Sequence, residues 1–387
     1  MTFIATAGES LPLVVGGFAI AALLALVLTP VVRRTVIRLG MVDQPDARRV
    51  NLEPVPRAGG IATATAFVAV AFVLVVVNEQ LRIVPVPTFV GAPELIALLG
   101  GGVIAALIGL IDDYLQLRAR WQLLGQIGLA LWAVALGIEV GFVNAPLGGV
   151  IRLDGWLAIG FTVFWIVGMI NSVNFIDGLD GLSTGIGIIA AVTLGVISLT
   201  TTIGQPLIAV LCFTLAGALL GFLRWNFHPA RIFAGTSGTM FLGFVLAVLA
   251  ILGTAKVAVV LLVLGVPIID TFWIIVRRLV GGRAPFSPDR GHIHHRLLDL
   301  GLSHTQTVLL IYAICVSLAL LSLLLSGTGQ IYAFLGLFVI LGLALFFLAR
   351  RSLVAEELTA EAYEDPHPVG SAATGDADPT RTGPTGP

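Results

Sequence analysis

Long runs of apolar residues alternate along this chain with short polar segments. A run of about 17–25 apolar residues is long enough to cross a bilayer as a helix. By that measure the sequence predicts eleven spans, at residues 12–32, 59–77, 94–111, 123–141, 156–173, 182–200, 205–223, 239–254, 256–276, 308–326 and 331–349. We therefore expect an all-α polytopic membrane protein, built as a bundle of about eleven transmembrane helices.

The composition supports this prediction and divides the chain in two. Hydrophobic residues make up 57% of the sequence and charged residues 11%, which excludes an ordinary water-soluble globular protein. Residues 1–354 are predicted to form a single transmembrane domain. Residues 355–387 are acidic and rich in Gly, Pro, Thr and Ala, so we expect a disordered cytoplasmic tail there.

The basic residues predict the orientation of the bundle. Eighteen of the 21 Lys and Arg residues fall in one set of predicted loops, and the opposite loops hold only Arg82, Arg152 and Lys256. Positive charge accumulates on the cytoplasmic side of membrane proteins. We therefore expect an outside N-terminus, a cytoplasmic C-terminus and a multi-pass protein of the cell (inner or plasma) membrane.

One polar stretch on the predicted cytoplasmic side, Asn171–Gly185, has an unusual pattern. It places Asn171, Asn174, Asp177 and Asp180 three residues apart between two apolar runs. Side chains three apart on a helix are neighbours, and ionisable groups at a membrane boundary are functional candidates. The simpler alternative is a short polar loop between two helices.

Two adjacent carboxylates, Asp112 and Asp113, stand where the third apolar run stops. Like charges this close are unfavourable unless a cation or a proton lies between them. A divalent metal ion would meet that need. The alternative is a solvated helix end.

A second polar region, predicted in the longest internal loop, is rich in histidine and arginine. Its candidates are His292, His294, His295 and His304, together with Arg290 and Arg296. Such side chains bind phosphate groups. A zinc cluster competes with this interpretation, although no Cys partner or H-E-x-x-H spacing supports it.

Together these clusters, all on one predicted membrane face, favour phosphoryl transfer. Carboxylates and amides suit Mg²⁺, which usually shares its ligands with substrate phosphates. Phosphoryl transfer depends mostly on positioning and charge neutralisation. We expect a lipid phosphate and a soluble nucleotide-activated donor as substrates, and no nucleic acid.

Four motifs in order along residues 40–300 resemble one known family. They are Asp112-Asp113 with the following Q-L-L-G-Q, the N-x-x-N-F-x-D-G-x-D-G-L of Asn171–Leu182, the P-x-x-D of Pro267–Asp270 and the G-H-I-H-H-R-L of Gly291–Leu297. The chain resembles the polyprenyl-phosphate N-acetylhexosamine-1-phosphate transferases, and most closely their bacterial branch specific for N-acetylglucosamine. The muramoyl-pentapeptide branch is more distant.

The resemblance implies an activity and residue roles. The reaction would move N-acetylglucosamine-1-phosphate from a UDP-sugar to undecaprenyl or decaprenyl phosphate, release UMP and start cell-wall or surface polysaccharide synthesis. It would need Mg²⁺, with Mn²⁺ as the alternative ion. Catalysis would fall to Asp112, Asp113 and Asp177, the metal to Asn174 and Asp177, and substrate binding to Asn171, Asn174, Asp180, Arg290, His292, His294, His295 and Arg296.

Three positions depart from the family pattern. Thr236 stands where the family usually has a metal-binding Asp, Gln122 where it has Lys, and Asn51 where it has His or Lys. A catalytically impaired homologue that acts as a binding or scaffold protein in cell-wall assembly is therefore the alternative function. A secondary transporter ranks last, because only Asp270 lies well inside a span. The sequence leaves open whether the protein is a homodimer.

Overall fold

The computed structural model describes residues 2–44, 54–145, 148–200, 204–253, 257–280, 282, 292–325 and 327–344. Apart from the last two residues of α13, the elements belong to one compact unit, Met1–Gly342. They are α1 Thr2–Arg38, β1 Val42–Asp43, β2 Val55–Pro56, α2 Gly60–Leu81, α3 Ala92–Leu115, α4 Ala119–Ala135, β3 Phe142–Asn144, β4 Val150–Arg152, α5 Trp156–Ile176, α6 Leu182–Ser198, α7 Pro206–Asn226, α8 Gly235–Leu252, α9 Val257–Val263, α10 Gly265–Val280, α11 Ile293–Asp299, α12 His304–Leu324 and α13 Thr328–Ala344.

The fold is mainly helical, as the apolar pattern predicts. The described part of the chain contains seven helices that are long and apolar enough to cross a membrane, or eight if the bent pair α9 and α10 counts as one span. The helices α4, α6 and α13 are shorter. Eleven crossings, and the orientation of the termini, therefore stay predictions. Two short antiparallel strand pairs, β1 with β2 and β3 with β4, were not expected from the sequence.

The predicted fourth span, residues 123–141, is wrong at its C-terminal end. Helix α4 stops at Ala135, and Gly137 follows with a φ of +91°. The Gly137 N–H donates to the Val134 carbonyl and the Ile138 N–H to the Ala133 carbonyl. This left-handed glycine closes the helix and satisfies its last carbonyls, so the chain beyond it turns towards β3.

The predicted ninth span, residues 256–276, is bent by 78° between α9 and α10. Pro267 lies in the first turn of α10 and has no N–H to donate to the carbonyl of Val263. The hydrogen bonds from Leu264 to Val260 and from Ile268 to Leu264 continue on either side of the break. The missing proline donor therefore explains why the helix bends here.

Helix α8 lies at the centre of the bundle, where it packs mainly against α3 and α5. Glycines make this close packing feasible. A Cβ on Gly60 of α2 would lie 2.0 Å from the Cα of Gly238, and a Cβ on Gly109 of α3 would lie 2.4 Å from the Cα of Ser237. Because α2 and α3 meet α8 backbone to backbone, the start of α8 has a fixed position.

Helices α1 and α7 form the most extensive helix pair. Their contact uses a G-x-x-x-G spacing, since a Cβ on Gly217 would lie 2.1 Å from the carbonyl oxygen of Phe18 and one on Gly221 would lie 2.0 Å from that of Ala22. Small residues at this spacing let membrane helices approach closely. The pair supports the C-terminal end of α7, and the loop that follows α7 lines the candidate site.

We predict that Gly109→Ala lowers the stability of the bundle by about 1–3 kcal/mol, the usual cost of overpacking. The added methyl group would meet backbone atoms of Thr236 and Ser237, which cannot move aside as a side chain could. Thermal unfolding of the detergent-solubilised protein measures the effect. Gly128→Ala is the matched control because a Cβ added there would have no atom within 4 Å, and equal losses in the two variants would contradict the packing argument.

Candidate functional site

One cavity of about 620 Å³ collects most of the polar groups at one end of the bundle. It lies where α3, α5 and α7 end and where α8 and α12 begin. Its polar lining consists of Asp43, Arg57, Asp113, Asn174, Asp177, Asp180, Asn226, His228, Thr236, His295 and His304. Acidic, basic and amide groups thus share one chamber.

The Asp113 carboxylate joins the end of α3 to the start of α8. Its Oδ1 accepts a hydrogen bond of 2.9 Å from the Thr236 N–H, and its Oδ2 accepts one of 3.0 Å from the Ser237 N–H. The first N–H groups of a helix have no partner within the helix and favour a negative group. Gly235, at φ +70°, leaves space for this carboxylate, because a Cβ there would lie 2.6 Å from Oδ2.

Asp177 follows directly after α5 and lines the same cavity. Its Oδ1 accepts a short hydrogen bond from the Ser183 hydroxyl. Burial is the main reason that the pKa of Asp177 is raised to about 6, and the nearby charges of Asp113 and Asp180 contribute to the rise against the effect of Ser183. The chain therefore holds three carboxylates together at an electrostatic cost.

The two asparagines of the central stretch have different positions. Asn174 lines the cavity, and its Oδ1 accepts a hydrogen bond of 2.9 Å from the Thr239 hydroxyl of α8. Asn171 lies one turn deeper and donates to Gln126 Oε1 of α4 at 2.7 Å. Asn171 therefore joins two helices and does not line the cavity.

Asp112 points away from its neighbour Asp113. Its Oδ1 accepts hydrogen bonds from the Leu117 N–H at 2.9 Å and from the Gln122 side-chain amide at 2.8 Å. These bonds tie the end of α3 to the start of α4. The structure does not place Asp112 in the lining of the cavity, and Gln122 acts as its hydrogen-bond donor.

The short helix α11 carries the histidine motif and is fixed at its start by Asp270 of α10. His292 Nδ1 lies 2.8 Å from Asp270 Oδ2, and the Ile293 N–H donates to Asp270 Oδ1 at 2.9 Å. The buried Asp270 carboxylate thus has a structural use. His292 therefore positions α11 and does not line the cavity.

His294 is buried against Gly178, a residue of the cavity lining, and His295 lines the cavity itself. A Cβ on Gly178 would lie 2.2 Å from His294 Nε2, so only glycine fits beneath this ring. Burial holds the pKa of His294 well below its usual value, and the neighbouring His295 and His292 add to the lowering. The surroundings of His294 therefore favour its neutral form.

Asp180, His228 and His304 form a compact group in the cavity lining. His228 Nδ1 lies 2.7 Å from Asp180 Oδ2, which also accepts the Ala230 N–H at 3.0 Å. The Asp180 N–H donates to His304 Nε2 at 2.9 Å. The two imidazole rings stack with their centroids 4.1 Å apart.

Arg57 provides a permanent positive charge at the cavity. Its Nη1 lies 3.5 Å from Asp43 Oδ1, across the strand pair β1 and β2. Arginine binds phosphate oxygens well because its donors form a rigid planar fork. The small hairpin thus carries one basic and one acidic group to the edge of the chamber.

The structure brings together five of the residues that the resemblance assigned to the site: Asp113, Asn174, Asp177, Asp180 and His295. The further candidate His304 also lines the cavity. Among the described residues, Asp112, Asn171, His292, His294 and Arg296 lie outside the cavity lining. Arg290 lies outside the described residues.

Sequence reasoning assigned no role at the site to Asp43, Asn226 or His228, although all three line the cavity. His228 had one available signal. It lies in a loop that the positive-inside pattern places on the same face as Asp177 and Asp180.

The cavity residues fit a magnesium ion on chemical grounds. Mg²⁺ takes oxygen ligands and usually one or two carboxylates. Burial is the main cause of the raised pKa of Asp177, and the charges of Asp113 and Asp180, which a cation would neutralise, add to it. Asp177 and Asn174 would hold the ion. The Thr236 side chain offers the ion no carboxylate. The Asp113 carboxylate lies beside this position, where it accepts a hydrogen bond from the Thr236 N–H.

Comparisons with known proteins agree on one family. The profile of glycosyl transferase family 4 matches residues 95–254. A Bacillus subtilis protein named probable undecaprenyl-phosphate N-acetylglucosaminyl 1-phosphate transferase is 36% identical over 339 residues, which cover 86% of this chain and 90% of that protein. A Mycolicibacterium smegmatis protein named decaprenyl-phosphate N-acetylglucosaminephosphotransferase is 39% identical over 322 residues, which cover 76% of this chain and 77% of that protein.

We predict that Asp177→Asn stabilises the metal-free protein above pH 6 by about 1–3 kcal/mol. The folded pKa of Asp177, about 6, lies above its ordinary value of 3.8. The native state therefore binds more protons than the unfolded chain between these values, and its stability falls as the pH rises through that window. Thermal unfolding in EDTA at pH 4 and pH 7.5 measures this, and the advantage of the variant should vanish at pH 4.

The same variant tests the metal assignment without any activity measurement. Addition of Mg²⁺ at pH 7.5 should raise the melting temperature of the wild type and have little effect on Asp177→Asn. A control, Asp154→Asn, alters a carboxylate outside the cavity lining and should respond as the wild type does. An equal Mg²⁺ response in Asp177→Asn and wild type would remove Asp177 from the proposed site.

Proposed function

Since this chain belongs to glycosyl transferase family 4, we propose that it transfers N-acetylglucosamine-1-phosphate, or a related hexosamine-1-phosphate, from a UDP-sugar to polyprenyl phosphate and releases UMP. The product would initiate a cell-wall or surface polysaccharide. The observation that carries the proposal is the cavity that joins Asp113, Asn174 and Asp177 to basic groups at one end of an apolar bundle.

The substrates in this proposal match the chemistry of the cavity. Both are negatively charged at their phosphates, and the cavity lining also holds Arg57, His228 and His295. The apolar helix surfaces beside the cavity suit a lipid chain. We infer that the UDP-sugar enters from the cytoplasm and the lipid phosphate from the membrane, because the positive-inside rule predicts that the basic loops lie on the cytoplasmic side.

The bond changes follow from the substrates. An oxygen of the polyprenyl phosphate forms a bond to the sugar-bearing phosphorus, the bond from that phosphorus to the bridging oxygen breaks, and UMP leaves with the electron pair. Mg²⁺, with Mn²⁺ as the alternative, would neutralise charge on the phosphates when bound. Such a reaction depends chiefly on positioning and electrostatic stabilisation.

Each cavity residue has a proposed task. Asp177 and Asn174 hold the metal ion, and Asp113, fixed by two backbone N–H groups, accepts the proton of the attacking phosphate. Asp180 and Asn226, which also line the cavity, orient the donor. Arg57 and His295 bind its phosphates. Asp112 acts through α4 and holds the Asp113 segment in position.

We predict that the purified protein makes a lipid-linked sugar and UMP from radiolabelled UDP-N-acetylglucosamine, polyprenyl phosphate and Mg²⁺. Asp113→Asn and Asp177→Asn should each lower the rate by about 100-fold or more, as loss of a positioned catalytic group does. Product formation and UMP release are measured in the same reaction. Asp112→Asn should have a smaller effect, accompanied by a lower melting temperature.

Thr236 provides the decisive comparison. If the wild type is active and each of the single variants Asp113→Asn and Asp177→Asn keeps that activity, the proposed assignment of the site is wrong. An inactive wild type whose product formation is restored by Thr236→Asp would contradict the proposed activity itself. Parallel assays with other UDP-hexosamines and polyprenyl chains define the donor and the acceptor.

A further inference from the structure

The group formed by Asp180, His228 and His304 has the composition of a transition-metal site. We propose that these three residues bind a divalent ion of the zinc type, at a site separate from the oxygen-rich Mg²⁺ position around Asp177 and Asn174. The proposal goes beyond the transferase activity, although the group shares Asp180 with the proposed donor site, and its test does not use the transferase reaction. We name the group the His–His–Asp site.

The geometry brings one ligand atom from each residue to a common point. The three atoms all lie within 4.8 Å of one another. The closest pair, His228 Nδ1 and Asp180 Oδ2, is already 2.7 Å apart. Metal ligands at about 2 Å from an ion lie somewhat more than 3 Å from each other, so modest side-chain rotations suffice.

Three separate segments supply the ligands. Asp180 follows α5, His228 follows α7, and His304 begins α12. The Ala230 N–H already orients the Asp180 carboxylate. Such outer hydrogen bonds fix the direction of metal ligands in known sites.

Hydrogen bonding leaves one nitrogen of this group without a partner. Nδ1 of His304 is buried and makes no hydrogen bond with any described residue. The His228 and His304 rings also stack, with their centroids 4.1 Å apart. Neutral imidazoles are the form that binds metal ions.

The ligand set selects the type of ion. Two imidazole nitrogens and one carboxylate oxygen suit Zn²⁺, Co²⁺ and similar ions, whereas Mg²⁺ prefers oxygen alone. Asp113 and Asp177 line the same cavity and add negative charge nearby. The half-exposed His228 gives an ion access from solvent.

Binding requires a rearrangement at both histidines. The hydrogen now shared by His228 Nδ1 and Asp180 Oδ2 must move to His228 Nε2 or to solvent before Nδ1 can bind the ion. His304 Nε2 accepts the Asp180 N–H, so the neutral ring carries its hydrogen on Nδ1, and this hydrogen bond must break before Nε2 can bind the ion. The affinity should therefore fall at acidic pH, where the histidines are protonated. Three protein ligands also leave one tetrahedral position for water or for an anionic ligand in the cavity.

Cobalt provides a direct probe, because tetrahedral Co²⁺ has visible absorption bands. Full-length protein with a histidine-free affinity tag, stripped of metal, is titrated with CoCl₂ in detergent at pH 7.5. We expect one ion per chain, and His228→Gln and His304→Gln should each weaken binding by more than about 10-fold. His367→Gln, which changes a histidine of the C-terminal segment outside the described residues, is the matched control and should bind as the wild type does.

His228→Cys keeps a metal ligand at the same place. This variant should retain cobalt and gain a sulfur-to-cobalt absorption band in the near ultraviolet, which a merely structural His228 would not produce. Melting curves without metal identify any variant that fails to fold. If the glutamine variants do not fold, the cobalt spectrum of His228→Cys alone decides whether His228 binds the ion.

Several results would overturn the proposal. They are an absence of cobalt binding at micromolar concentration, unchanged binding in both glutamine variants, or the absence of the sulfur band in His228→Cys. Displacement of cobalt by millimolar Mg²⁺ would also overturn it, because the ion would then sit on the carboxylates around Asp177. None of these readouts uses the transferase reaction, so the result is independent of the proposed function.

Discussion

The contact between the Asp113 carboxylate and the first N–H groups of α8 is the interaction on which the site depends. It joins the end of α3 to the start of α8, the helix at the centre of the bundle. The contact exists only because Gly109 and Gly60 let α3 and α2 approach the α8 backbone. Small residues deep in the bundle therefore determine where a charged group lies at its edge.

A second level of organisation lies in the arrangement of charge around the cavity. Asp113, Asp177 and Asp180 repel one another across a partly buried chamber. Each is held by donors of its own: backbone N–H groups of α8, the Ser183 hydroxyl, and the Ala230 N–H with His228. Fixed donors keep the carboxylates in place, but they leave a net negative chamber that favours cations and polyphosphates with bound cations.

Much of this organisation could be predicted from the sequence, and the limits have physical causes. Apolar runs indicate most helices because a bilayer-spanning helix needs a long apolar stretch. The apolar pattern did not predict that α4 ends before Gly137 or that the chain bends before Pro267, because hydropathy carries no information about backbone conformation. The three-residue spacing indicated Asn174, Asp177 and Asp180 because they share one short segment.

Other site residues depend on tertiary contacts that no local pattern reveals. Asp112 and Asp113 are equivalent by sequence, yet one binds Gln122 and the other the start of α8. In the same way, His292, His294 and His295 look like one motif but have three different surroundings. His228 enters the site only because the loop after α7 folds back towards Asp180, 48 residues earlier in the chain.

The anchoring of α11 by the Asp270 carboxylate links the bend between α9 and α10 to the candidate site. His292 and the Ile293 N–H contact Asp270 of α10, and His294 of the same short helix lies against Gly178, between Asp177 and Asp180. A change in the angle between α9 and α10 would therefore pass through α11 to the segment that carries two of the carboxylates of the cavity.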